Sequence, residues 1–74
     1  MFEKRKLNKE LQKQMELIET LEKKRYRSQA KLVEAILTGD APDDEDVEYF
    51  NEFTRQIEET RARIKSLKNQ ISEL

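Results

Sequence analysis

The chain has 74 residues, 42% of them charged and 35% hydrophobic, with a formal net charge of -1, one Gly, one Pro, no Cys and no His. A chain this short forms one domain at most, and without Cys or His it has no disulfide staple, thiolate site or imidazole, so a second chain is the remaining source of buried surface. The apolar runs fall well short of the ~18 residues of a membrane span, and no signal peptide precedes the helical pattern, so a cytoplasmic protein is expected.

The first predicted element is a helix over about 3–37. Its apolar stripe reads Leu7, Leu11, Met15, Ile18, Tyr26, Ala30, Val33 and Leu37, a spacing nearer 3.67 than 3.5 residues per turn, which suits a straight helix. Leu17, Leu21, Leu32 and Ala35 run along one flank of that stripe. The only Gly and the only Pro follow in Thr38-Gly39-Asp40-Ala41-Pro42. Gly39 suits the left-handed position that ends a helix, and Pro42 forbids a simple continuation. The predicted turn therefore covers about 38–43. Asp40 or Asp43 is placed to cap the next helix, with Asp44, Glu45 and Asp46 at its positive dipole end.

The second predicted helix spans about 43–74 and carries an unbroken heptad seam, Phe50, Phe53, Ile57, Thr60, Ile64, Leu67, Ile71 and Leu74. Apolar positions in steps of three and four hold one helix edge against a partner helix. Laying the two stripes antiparallel pairs Val33 with Phe50, Ala30 with Phe53, Tyr26 with Ile57, Ile18 with Ile64, Met15 with Leu67, Leu11 with Ile71 and Leu7 with Leu74. Glu22 then meets Thr60 and Arg61 in a polar layer. The expected fold is all-α: an antiparallel two-helix coiled-coil hairpin that dimerises into a four-helix bundle. Leu17, Leu21, Leu32 and Ala35 are the candidate protein interface, because they exceed what one partner helix covers and burying a single Leu stabilises by roughly 1.5–3 kcal/mol.

Chemistry has little to work with. Without His or Cys, acid and base roles would need Asp, Glu, Lys or Tyr with pKa values shifted by burial, and the pattern places the carboxylates on solvated faces. The sequence therefore predicts no catalytic residue, no cofactor, no metal and no small-molecule ligand. The acidic run Asp40, Asp43, Asp44, Glu45, Asp46 and Glu48 lacks the glycine and terminal glutamate spacing of a helix-loop-helix calcium site, and dipole compensation explains it.

Two features bear on partners. Lys6, Lys9, Lys13, Lys24, Arg27 and Lys31 share the outer face of the first helix, a basic stripe able to track a nucleic-acid backbone. Within Lys23-Lys24-Arg25-Tyr26-Arg27, Tyr26 is expected to turn toward the seam while Lys23 and Arg27 turn away. Charge also separates along the chain: ten basic and six acidic residues precede Gly39, and five basic and ten acidic follow from it. In a hairpin the turn end is then acidic, and the open end, with Lys4, Arg5, Lys6, Lys9, Lys65 and Lys68, is basic, an arrangement that favours end-for-end packing. The expected function is a non-enzymatic protein-protein interaction module, a homodimer that also meets an unidentified protein partner. The alternative is a nucleic-acid-binding small regulator.

Overall fold

A computed structural model describes residues 2–74. Two helices, α1 (Phe2–Leu37) and α2 (Asp44–Ser72), pack against each other as an antiparallel hairpin. The molecule is a rod of 57 × 15 × 14 Å. Its length is that of α1 alone at about 1.5 Å per residue, so neither helix folds back on itself. No helix among the described residues is long and apolar enough to cross a membrane.

The reversal is built by the backbone of α1's last turn. Gly39 sits at φ +80°, a conformation that costs a residue with a Cβ roughly 1–2 kcal/mol. From there the Asp40 N–H donates to the Ala35 carbonyl at 2.9 Å and the Gly39 N–H to that of Ile36 at 3.1 Å. This paired pattern satisfies the carbonyls left over at the helix end. Thr38 Oγ1 adds a bond to the Ala35 carbonyl at 3.0 Å. Asp43 then takes the N-cap position in an extended conformation, and its carbonyl accepts from the Val47 N–H at 3.1 Å, but its carboxylate makes no capping bond. Asp44, Glu45 and Asp46 fill the first turn of α2, where negative charge opposes the helix dipole.

The seam of α2 holds its heptad residues from Phe50 to Ile71: Ile57, Thr60 and Leu67 are buried, and Phe50, Phe53, Ile64 and Ile71 half-buried, whereas Leu74, expected to continue it, lies beyond α2 and is 62% exposed. The seam of α1 differs from the expected stripe. Its inward positions are Leu7, Leu11, Gln14, Ile18, Leu21, Arg25, Ser28, Leu32 and Ala35, a strict alternation of four and three. Leu21, at 3% exposure, is the most buried hydrophobic residue, whereas Tyr26 is 73% exposed. Met15, Val33 and Leu37 face outward as well.

The register slides by about one helical turn in consequence. Arg25 Nε donates to Thr54 Oγ1 at 2.8 Å, where the expected pairing sets Thr54 near Gln29. Stepping along both heptads from Arg25 and Thr54 brings Leu21 opposite Ile57 and Leu11 opposite Leu67, in place of Tyr26 and Met15. The point of reversal moves with the register: the chain midpoint of Arg25 and Thr54 falls between Gly39 and Asp40, next to the left-handed residue, while the expected pairing centres on Ala41.

Candidate protein-docking surface

The side chains that hold the seam determine which faces remain free. At the turn end the seam is partly polar. The Arg25 guanidinium lies 4.8 Å over the centre of the Phe50 ring while bonding Thr54, and Thr54 Oγ1 donates in turn to the Phe50 carbonyl at 2.9 Å. Arg25 thus lays its stem along the seam and satisfies its head on the partner helix. Toward the open end Gln14 is buried at 7% exposure; its Nε2 donates to Glu10 Oε1 at 3.0 Å, but its Oε1 has no partner. The buried Thr60 hydroxyl is satisfied by the Gln56 carbonyl at 2.7 Å.

These placements correct the interface expected from the sequence. Leu21 is buried in the hairpin, and Leu32 and Ala35 are half-buried along the same seam, so three of the four candidate interface residues are engaged within the chain. A charge at Leu21 would break the hairpin rather than separate two hairpins. Leu17 alone stays exposed, on the opposite flank of α1 from Tyr26 by helical spacing.

The six basic candidates Lys6, Lys9, Lys13, Lys24, Arg27 and Lys31 are all exposed. They do not form an uninterrupted cationic stripe. Lys24, Arg27 and Lys31 line a groove whose other wall carries Glu45 and Asp46 of α2, and Glu3 lies with Lys6 and Lys9. On the remaining outer surface of α2, Arg55 pairs with both Glu52 and Glu59. The Arg55 bonds, followed by that from Gln56 Nε2, hold the Glu52 carboxyl down at about 2 instead of 4.5, and the same pairing pushes the Arg55 guanidinium further up.

One face is of a different character. The Glu22 carboxylate meets Arg61 at 3.5 Å on one flank of the hairpin, outside the seam where a polar layer was expected. Two heptads toward the turn from that pair lie Ile36 and Val47, both exposed and on the same flank by heptad spacing. Around them by helical spacing sit Tyr26, Gln29, Ala30, Val33 and Leu37 of α1 and Asn51 and Thr54 of α2. These nine residues are uncharged, in a chain that is 42% charged, and the exposed Asp44, one turn before Val47, borders them at the turn. Ile36 is 64% exposed and Leu37 81%. Charge depletion with an aromatic and exposed aliphatics is the composition found at the core of interfaces. No protein family model, curated protein or solved structure matches the chain.

Hydropathy alone hides this face. The second half of α1 carries two apolar lines, Tyr26-Ala30-Val33-Leu37 outside and Leu21-Leu32-Ala35 inside, and the sequence assigns them the opposite way round. The readable signal is the excess itself, two lines where one partner helix covers one.

Proposed function

We propose that this chain is a non-enzymatic interaction module, a helical hairpin that docks a helix face onto a protein surface and self-associates into an assembly of four helices in the cytoplasm. The observation that carries the reading is the uncharged turn-end face around Tyr26, Val33, Ile36 and Val47. Helix faces of this kind bind through apolar anchors at helical spacing. The composition supports it, since the chain has neither His nor Cys. So does the thin architecture, because no side chain among the described residues is wholly removed from solvent and a site for chemistry is ordinarily an enclosing pocket.

The nucleic-acid alternative draws less support, because the carboxylates of Glu45 and Asp46 share the groove of Lys24, Arg27 and Lys31. Binding through phosphates would weaken steeply as salt rises. The reading is tested by affinity purification from the native host with the wild-type chain and with Val33→Glu. Retention of a protein, further copies of the chain included, by the wild type and its loss in the variant is the expected result. Salt-sensitive retention of nucleic acid, indifferent to Val33, would replace the reading.

A further inference from the structure

The two most exposed large hydrophobic side chains of α1 lie at its opposite ends, Phe2 at 91% and Leu37 at 81%. They are five heptads apart and so hold the same position relative to the heptad seam. Counted by the heptad repeat that the inward positions follow, Met15, Tyr26, Val33 and Ile36 join them within one arc about 100° wide, turned well away from the seam. Leu17 lies on the other flank.

This arc is symmetric end for end. The midpoint of Phe2 and Leu37 falls between Glu19 and Thr20; Glu16 and Lys23 share it, and Met15 and Tyr26 share it to within one residue. A second α1 reversed about that midpoint meets the first with Phe2 against Leu37, Glu16 against Lys23 and Met15 beside Tyr26, each pair formed twice. Glu19 and Glu22 would approach their own copies near the axis. Both already have cationic neighbours within the hairpin, Lys23 at 3.8 Å and Arg61 at 3.5 Å.

Charge selects the same orientation. From Ser28 to Asn51, the turn end, there is one basic residue against seven acidic; the open end, Phe2–Lys13 with Lys65–Leu74, has seven basic against three acidic. Antiparallel docking opposes these poles, whereas parallel or turn-to-turn docking sets like charge against like. Area points the same way. One long face of a 57 × 15 Å rod offers about 800 Å² per partner, the size of a standard stable interface, and overlap of the turn ends alone would offer about a third of that.

We propose that the occupant of the outer arc of α1 is a second copy of this chain, docked antiparallel about the α1 midpoint with each acidic turn beside the other copy's basic open end. The proposal rests on the reading of the hairpin as an interaction module, and it fixes the partner, the face and the direction. Sedimentation equilibrium of the full chain at tens of micromolar should give a dimer that weakens as salt rises. Tyr26→Glu and Ile36→Glu, both at exposed sites and checked for full helicity, should raise its dissociation constant about tenfold or more, the scale of an interface hot spot. Leu17→Glu should leave it unchanged. Because the chain has no native Cys, oxidising a mixture of Phe2→Cys and Leu37→Cys should give a covalent heterodimer, and neither variant alone should cross-link. Self-cross-linking of Leu37→Cys would overturn the orientation. A folded wild-type monomer throughout that range would overturn the proposal. If such a monomer still captured a host protein in an Ile36-dependent way, the interaction-module reading would survive; if it captured none, both would fall.

Discussion

Arg25 and Thr54, 29 residues apart in sequence, are joined by a 2.8 Å hydrogen bond from the guanidinium Nε to the hydroxyl, with the same guanidinium stacked over Phe50. This contact ties the helices together near the turn and identifies the register. Arg25→Ala should lower stability by about 1.5–3 kcal/mol, the range for a hydrogen bond to a charged group. A double-mutant cycle with Thr54→Val, followed by urea denaturation, should show a coupling of about 0.5–3 kcal/mol. Strictly additive effects would mean that the pair does not hold the register.

Leu21 and Tyr26 discriminate the observed register from the one expected from hydropathy. Leu21→Ala should cost roughly 2–5 kcal/mol because it empties a buried seam position, while Tyr26→Ala should change the stability of the monomeric hairpin by less than about 0.5 kcal/mol. The comparison belongs at concentrations low enough to exclude self-association. A reversed ranking of the two melting shifts would restore the expected stripe.

Gln14 occupies a seam position with an unpartnered buried oxygen. Such a group costs on the order of 1–3 kcal/mol, so Gln14→Leu should stabilise the hairpin, by about 1 kcal/mol or more, read as a higher melting temperature. A fall in melting temperature would show that the amide has a partner in solution.

Gly39 has open space where a Cβ would stand, so a larger residue there is opposed only by its left-handed backbone. Gly39→Ala should therefore destabilise by roughly 1–2 kcal/mol, and Gly39→Asn by less, since Asn tolerates this conformation. Equal losses for the two would point to a steric cause instead.

Glu52 makes a pH prediction. Its carboxyl is held at about 2 rather than 4.5, a depressed folded-state value, so whatever stability the Arg55 contact supplies is fully present above about 4.5 and lost as pH falls toward 2. The group is solvent-exposed, so salt should weaken the effect. Carbon NMR of the Glu52 carboxyl should show a titration midpoint well below 4.5, rising toward 4.5 in Arg55→Gln. A Glu52 midpoint unchanged by that substitution would refute the pairing.

The two helices, the break between them, the seam of α2 from Phe50 to Ile71 and the charge poles are all legible in the order of the amino acids. Each is a local property: Gly39 is the only residue free of a Cβ, Pro42 cannot continue a helix, and α2 offers a single apolar line from Phe50 to Ile71. The tertiary structure alone decided which line of α1 turns inward, and with it which residues remain outside for a partner. Hydropathy ranks Tyr26 and Val33 above Arg25 and Ser28, yet the choice depends on the opposing helix and on the register. The Phe50 ring and the Thr54 hydroxyl accommodate Arg25, and in that register Leu21 stands opposite Ile57. These are properties of pairs brought together by the fold, which a residue-by-residue reading of hydrophobicity does not contain.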